Sequence, residues 1–323
     1  MSRELCHASA PTLLAVGADA SPESLRRLEH EYALKGELDA GWAARPLELC
    51  RQNDGMTLSR ENPGGEHLDQ ILLANGPLLV AAFLRIAIAL ADALRRMHER
   101  GLIHKDIKPA NVIVNMTSGK VWLTGFGIAS RLPRERRRAD PPEEIAGTLA
   151  YMAPEQTGRM NRSIDSRSDL YSLGVTFYEM LTGRPPFAAS DPVEWIHCHI
   201  ARKPAPPNDR APHVPAQLSA IVMKLLAKTA EDRYQTAAGL VLDLRRCLQT
   251  WELSGGIDPF PLREHDASDQ LMIPERLYGR ESEIAALLAA FGSVVTNRTT
   301  EFVLVSGYSG IGKSSVVNEL HKA

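Results

Sequence analysis

The chain contains few cysteines and almost no net charge, and these two shortages exclude several classes of protein. Its four cysteines are far apart and lack the spacing of a disulfide framework or a metal site. They are Cys6, Cys50, Cys198 and Cys247. This pattern favours a reducing cytoplasm, where cysteine serves as a small buried side chain. A formal net charge of -2 gives no bulk attraction for nucleic acid or for an anionic membrane.

Long hydrophobic runs are missing as well. The most apolar stretch, Leu78 to Leu94, is interrupted by Arg85 and Asp92, so it is too polar to span a bilayer and predicts a buried core helix. The N-terminus has neither the basic start nor the apolar run of a secretion signal. We therefore expect a cytoplasmic protein without a membrane segment. With 44% hydrophobic residues among 323, it is long enough for one large or two smaller domains with real cores.

Short apolar runs near the N-terminus predict a small strand-rich unit, and the chain beyond it becomes mainly helical. Ser21, Pro22 and Glu23 supply an N-cap, a first-turn proline and a first-turn acid, which predicts the start of a helix. Strands are predicted at Thr12–Val16, Pro46–Cys50 and Gly55–Ser59. A strand-rich lobe with one helix, followed by a helix-rich lobe, is typical of an α+β, two-lobed architecture.

The segment from His104 to Asn111 matches the pattern of a phosphotransfer loop, in which an aspartate is followed five residues later by an asparagine. In phosphoryl transfer the protein mainly positions the reactants and neutralises charge. Asp106 would accept the proton of a hydroxyl group, Lys108 would reach the transferring phosphate, and Asn111 would bind Mg²⁺. The alternative is a polar turn before a predicted strand at Val112–Val114. The match over eight consecutive positions counts against that alternative.

The next motif lacks a metal ligand. Residues 123–127 read Leu-Thr-Gly-Phe-Gly, and Gly125 stands where the phosphotransfer pattern has an aspartate that holds Mg²⁺. No neighbouring residue obviously replaces that carboxylate. Loss of one charge-stabilising group typically costs about 3 kcal/mol, or roughly a hundred-fold to a thousand-fold in rate. The activity of the chain therefore depends on position 125.

Three further residues fit structural roles around the loop. The segment from Gly147 to Glu155 ends in Ala-Pro-Glu, which closes an activation segment. The resemblance of these segments to protein kinases implies that Asp169 supports the backbone of the phosphotransfer loop and that Arg233 pairs with Glu155. These residues argue for the fold and not for activity.

Near its end the chain carries a complete phosphate-binding loop, Gly-Tyr-Ser-Gly-Ile-Gly-Lys-Ser, directly after a predicted strand at Glu301–Ser306. Its candidate nucleotide-binding residues are Gly307, Gly310, Gly312, Lys313 and Ser314. Backbone N–H groups of such a loop cradle phosphates at the start of a helix. The lysine would reach the outer phosphates, and the serine would bind Mg²⁺.

Together these motifs resemble those of the serine/threonine protein kinase family over roughly the first 250 residues. More narrowly, the chain is similar to the kinase-like N-terminal region of large microbial proteins that join a kinase domain, a P-loop ATPase domain and a sensor histidine kinase. The resemblance implies ATP and Mg²⁺ as cofactors and phosphorylation of Ser or Thr hydroxyls. It also implies a protein substrate or regulatory partner, and further C-terminal domains of a longer chain.

The expected domains are a protein-kinase-like domain at residues 1–250, a linker at 251–277, and the incomplete start of a P-loop α/β ATPase domain at 278–323. The small lobe departs from the family pattern. No lysine precedes Lys35, which is expected inside the first helix, and no Gly-x-Gly-x-x-Gly loop occurs. The small lobe is therefore either truncated at its N-terminus or holds ATP differently. Lys105 stands where most such kinases carry arginine, so a bidentate grip on a phosphorylated activation segment is not expected.

Two hypotheses for function stay open. The first is a serine/threonine kinase with slow turnover, in which Asp106 is the base and Asn111 binds Mg²⁺. The second is a pseudokinase that binds nucleotide or a partner and passes its state to an attached ATPase and histidine kinase. The intact phosphotransfer loop favours the enzyme, whereas Gly125 and the missing small-lobe lysine favour the binding module.

Overall fold

The computed structural model describes residues 12–16, 21–52, 55–131, 147–159, 162–266, 279–298, 300–308 and 311–318. Within these ranges, no helix combines the length and the apolar character needed to cross a membrane. The described chain forms a strand-rich small lobe, a helical large lobe, and two further helices near the C-terminal end. The predicted two-lobed α+β architecture is confirmed.

A three-stranded antiparallel sheet and one helix form the small lobe. The strands are β1 (Thr12–Val16), β2 (Pro46–Gln52) and β3 (Gly55–Arg60), in the order β1-β3-β2. Helix α1 (Pro22–Ala33) begins where the sequence predicts, because the Ser21 side chain accepts a hydrogen bond from the N–H of Ser24. Leu28 of α1 packs against Met56 and Leu58 of β3, which gives this lobe a small core of its own.

Lys35 lies outside α1, so its expected position inside the first helix is wrong. The helix ends at Ala33, and Leu34 to Glu37 form a turn that contains Gly36, a residue that disfavours helix continuation. The ammonium group of Lys35 donates a hydrogen bond to the carbonyl of Leu47 at 2.6 Å.

Helices build the large lobe around a long central helix. They are α2 (Leu68–Asn75), α3 (Val80–Glu99), α4 (Ser166–Thr182), α5 (Pro192–Ile200), α6 (Pro207–Arg210), α7 (Ala216–Leu225) and α8 (Ala237–Ser254). Helix α3 packs against α4 and α8, and its Phe83, Leu90 and Leu94 are buried. The predicted core helix is therefore confirmed as α3. The apolar stripe along α3 is the reason that the main core of the chain lies in this lobe.

Short strands fix the ends of the two loops that carry the candidate site. They are β4 (Glu66–His67), β5 (Leu102–Ile103), β6 (Val112–Asn115), β7 (Lys120–Leu123) and β8 (Ser130–Arg131). Strand β5 pairs with β8, and β6 pairs with both β4 and β7. Residues 104–111 therefore run from β5 to β6, and residues 124–129 run from β7 to β8. The two loops are held side by side.

After α8 the chain turns back along the large lobe. Phe260 is buried, and the Asp266 carboxylate accepts hydrogen bonds from the N–H groups of Gln235 and Thr236 and from the Thr236 hydroxyl, at 2.6 to 2.8 Å. A Cβ atom on Gly239 would lie 2.5 Å from Oδ1 of Asp266. The rest of the predicted linker, from residue 267, lies outside the described residues.

Two helices, α9 (Glu281–Asn297) and α10 (Lys313–Asn318), flank the second loop motif. Between them, residues 300–308 have no secondary structure, so the predicted strand at Glu301–Ser306 is wrong. A strand needs a neighbour to share its backbone hydrogen bonds, and within the described part of the chain none pairs with this segment.

Candidate active site

Asp169, in the first turn of α4, supports the phosphotransfer loop from below. Its fully buried carboxylate accepts hydrogen bonds from the backbone N–H of His104 at 2.9 Å and of Lys105 at 2.8 Å. The Nε2 atom of His98, on α3, lies 2.9 Å from the same carboxylate. One side chain therefore connects α3, α4 and the loop.

This support holds an unusual backbone conformation. Lys105 has a φ of 68°, in the left-handed region that costs an ordinary residue about 1–2 kcal/mol. Its N–H is bound by Asp169, and its carbonyl accepts a hydrogen bond from the Gln156 side chain at 2.8 Å. The loop thus turns sharply at Lys105, immediately before Asp106.

Four donors from three residues surround the carboxylate of Asp106. Oδ1 accepts hydrogen bonds from the N–H of Thr148 at 3.0 Å and from its hydroxyl at 2.9 Å. Oδ2 accepts one from the amide of Asn111 at 2.9 Å and lies 2.8 Å from the ammonium group of Lys108. Lys108 also donates to the Thr148 hydroxyl. The structure therefore brings the three predicted catalytic residues together, and it adds Thr148, whose contact the sequence did not indicate.

The charge state of Asp106 follows from these contacts. Burial opposes the charged form, but the nearby charge and hydrogen bond of Lys108 outweigh it, so that the pKa of this carboxyl lies below its ordinary value. Asp106 is therefore ionised at neutral pH. Its side chain keeps 16% of its surface exposed, so a hydroxyl group can still approach it.

Gly125 leaves a space that the Asn111 side chain fills. A Cβ atom at position 125 would lie 2.5 Å from Oδ1 of Asn111 and 2.6 Å from its Cγ. Gly125 also has a φ of 77°, in the left-handed region. The amide of Asn111 can lie so close to this backbone only because residue 125 has no side chain.

Gly125→Ala is expected to lower the free energy of unfolding by about 1–3 kcal/mol, because a left-handed alanine is strained and its Cβ displaces Asn111. Urea denaturation would measure the loss. In an Asn111→Ala background the new Cβ no longer collides with the Asn111 side chain. Gly125→Ala should therefore lower the free energy of unfolding by less in that background. Gly36→Ala, in open space, should change stability by about 0.5 kcal/mol or less. A Gly125→Ala protein as stable as the Gly36→Ala control would contradict the described packing.

Glu155 and Arg233 form a fully buried ion pair beneath the activation segment. Arg233 donates from Nη1 and Nη2 to the two carboxylate oxygens at 2.7 and 2.9 Å. Ser168 donates a third hydrogen bond to this carboxylate at 2.7 Å. Burial opposes the charge on Glu155, but Arg233 keeps its pKa below the ordinary value. This pair fixes the end of the segment that carries Thr148.

The residues of the second loop motif are described only in part. The ammonium group of Lys313 donates to the carbonyls of Gly307 and Tyr308, both at 2.8 Å, and so folds back over the start of the loop. Gly312 has a φ of 89° and immediately precedes α10. Gly310 and the side chain of Ser314 lie outside the described residues.

Comparison with known families agrees with this architecture. The family model described as a protein kinase domain matches residues 19–242, and that of an AAA ATPase domain matches residues 276–323. The chain belongs to the protein kinase family.

Similar proteins include both kinases and a larger fusion. The chain is 38% identical to serine/threonine-protein kinase PknB of Mycobacterium tuberculosis, over 65% of this chain and 32% of that protein. It is 34% identical to a probable serine/threonine-protein kinase of Corynebacterium efficiens, over 67% of this chain and 33% of that protein. It is 32% identical to hybrid signal transduction histidine kinase G of Dictyostelium discoideum, over 75% of this chain and 10% of that protein. The chain thus spans about a third or less of these relatives, and the predicted resemblance is confirmed.

Proposed function

We propose that the kinase domain transfers the γ-phosphoryl group of ATP to Ser or Thr hydroxyls of a protein, with slow turnover. The observation that supports this most directly is the ionised Asp106 carboxylate, partly exposed and held by Thr148 and Lys108. A base must be charged, oriented and within reach of the hydroxyl group. All three conditions fit Asp106.

In this proposal each loop residue has one task. Asp106 orients the hydroxyl group and takes its proton at a carboxylate oxygen. Lys108, 2.8 Å from that carboxylate, lies where it can also neutralise charge on the transferring phosphate. Thr148 holds the carboxylate in place and ties it to the activation segment, which is the expected position of a protein substrate.

The donor set for Mg²⁺ is reduced but not absent. The chemistry that Mg²⁺ would supply here is neutralisation of the phosphate charge. Asn111 offers one amide oxygen, beside Gly125, where the usual carboxylate is missing. Since Mg²⁺ keeps several waters and needs only one or two protein ligands besides phosphates, these residues fit a weakly held ion. Weak metal binding is the reason that we propose slow turnover.

A second candidate is a binding module that holds nucleotide without transferring phosphate. The packing of Asn111 against Gly125 favours it, because this arrangement occupies the space of the missing metal ligand. In either case, we propose that the 307–314 loop binds the phosphates of a second ATP, with Lys313 leaving its loop carbonyls to contact them and Ser314 contacting Mg²⁺. A longer chain that includes the ATPase domain and output domains would then respond to the state of the kinase domain.

The decisive measurement is transfer of labelled phosphate to a protein substrate mixture, with Mg²⁺ or Mn²⁺, by the 323-residue chain carrying Lys313→Ala to silence the second loop. Asp106→Asn should reduce transfer by roughly a hundred-fold or more, because the variant keeps the side-chain shape but removes the base. Asp191→Asn, which preserves an exposed helix cap far from the loop in sequence, serves as the matched control.

The possible outcomes separate the two candidates. Transfer lost in Asp106→Asn but kept in Asp191→Asn supports the kinase. Transfer that is equal in both variants would show a contaminating enzyme and would overturn the proposal. Binding of a fluorescent ATP analogue without any transfer would favour the binding module.

A further inference from the structure

Glu31 is a charged residue in the core of the small lobe. It lies on α1 and its side chain is only 2% exposed, whereas glutamates are rarely buried without a cationic partner. Arg60, at the end of β3, supplies that partner. Its Nε lies 2.7 Å from Oε1, and its Nη2 donates to Oε2 at 2.7 Å. Only the Nη2–Oε2 contact has hydrogen-bond geometry, since neither Nε nor Oε1 makes a hydrogen bond among the described residues.

The pair of Glu31 and Arg60 corresponds to an ion pair of protein kinases whose lysine is absent from β1. In protein kinases a strand lysine pairs with a glutamate of the small-lobe helix, and the pair must be in place for activity. Strand β1, which directly precedes α1, contains no lysine, and Lys35 lies beyond the helix, where it donates to the carbonyl of Leu47. Arg60 reaches the helix glutamate from β3, where it pairs with Thr12 of the neighbouring strand β1.

The helix that Arg60 holds is packed against the altered metal motif. Nε2 of His30 donates to the carbonyl of Ala129 at 2.6 Å. A Cβ atom on Gly127 would lie only 2.9 Å from Cβ of Arg27, so the helix and this loop touch without any space between them. Residues 126–129 follow directly after Gly125, against which Asn111 packs. The position of α1 therefore determines the position of residues 126–129, next to Gly125 and Asn111.

We propose that Arg60 is a positioning residue, which replaces the missing strand lysine as the cation that fixes α1 and, through α1, residues 126–129 beside Asn111. The proposal rests on the proposed phosphotransfer function. Arg60 does not serve as the phosphate contact that a strand lysine provides, because its Nε and Nη2 face Glu31. Arg60 thus supplies the structural half of the lysine's role, and phosphate neutralisation depends on Lys108.

Hydrogen exchange of backbone amides in the 323-residue chain tests this directly. Arg60→Met and Glu31→Gln should each speed exchange at residues 126–131 by about tenfold or more, because α1 loses its anchor. Arg60→Lys should restore part of the protection, since it keeps the charge but loses the guanidinium group. The matched control is Arg51→Met, which removes an exposed ion pair between β2 and Glu29 of the same helix. It should leave exchange at residues 126–131 unchanged.

The result that overturns the inference is equal exchange at residues 126–131 in Arg60→Met and Arg51→Met. If Arg60→Met does not fold, Arg60→Lys decides: faster exchange at residues 126–131 than in the unmodified chain supports the anchor, and unchanged exchange overturns it. The readout does not require turnover. If the chain transfers no phosphate but Arg60→Met speeds exchange at residues 126–131, the proposed activity is contradicted and the positioning role is supported. Phosphate transfer without any change of exchange in Arg60→Met would support the proposed activity and contradict the positioning role.

Discussion

Replacing Arg233 with alanine is expected to lower the free energy of unfolding by about 3–5 kcal/mol, the usual cost of removing one partner of a buried ion pair. The guanidinium group has no exposed surface and binds both oxygens of Glu155. It also donates to the backbone carbonyls of Ala227, Arg167 and Lys228. Alanine would leave the Glu155 carboxylate without its cation and these carbonyls without this donor.

Urea denaturation followed by tryptophan fluorescence would measure the Arg233 effect. Arg85→Ala is the control, because its ion pair with Glu252 is exposed and should contribute about 1 kcal/mol or less. The double replacement of Arg233 and Glu155 by methionine should recover part of the loss, since two apolar side chains need no ionic partner. Equal stability of Arg233→Ala and Arg85→Ala would contradict the expected role of the buried pair.

Replacing Asp169 with alanine should lower the free energy of unfolding by about 3 kcal/mol and should also disturb the phosphotransfer loop. Two backbone N–H groups, those of His104 and Lys105, lose their acceptor, and each unsatisfied buried donor costs about 1–3 kcal/mol. Lys105 then loses one of the contacts that hold its left-handed backbone. If the chain has the proposed kinase activity, we therefore expect phosphotransfer to fall more than the folded fraction does.

A matched aspartate separates this effect from ordinary capping. Asp191 also accepts two backbone hydrogen bonds, from Val193 and Glu194, but it is exposed, so water can replace it. Asp191→Ala should cost about 1 kcal/mol. Denaturation of both variants gives the comparison. If Asp169→Ala costs no more than Asp191→Ala, the loop does not depend on Asp169 for its shape.

Local patterns predicted much of the fold and of the site, because they involve residues close in sequence or a fixed motif. The cap at Ser21 and the apolar stripe of α3 each arise within one element, and both are observed. The loop from His104 to Asn111 is short, so its residue order nearly determines which side chains can meet. The placement of the catalytic and nucleotide-binding roles on these residues stays a prediction.

The parts that the sequence did not predict depend on space or on distant partners. Asn111 packs against Gly125 because a Cβ is absent, and no pattern of residue types shows which neighbour will fill such a gap. Arg60 and Glu31 meet across 29 positions, through the packing of α1 on the sheet. The predicted strand at Glu301–Ser306 was wrong for a related reason, since a strand depends on a partner as well as on its own apolar residues.

The hydrogen bonds of Asp266 to Gln235 and Thr236 have a consequence for related chains. Gly239 and Asp266 occupy one tightly shared space, in which even a methyl group at position 239 would collide with the carboxylate. Homologues that carry alanine or a larger residue at position 239 should therefore have lost the aspartate, and with it the attachment of this segment to the start of α8. Joint variation of positions 239 and 266 across an alignment would show which members of the family keep this segment attached to the start of α8.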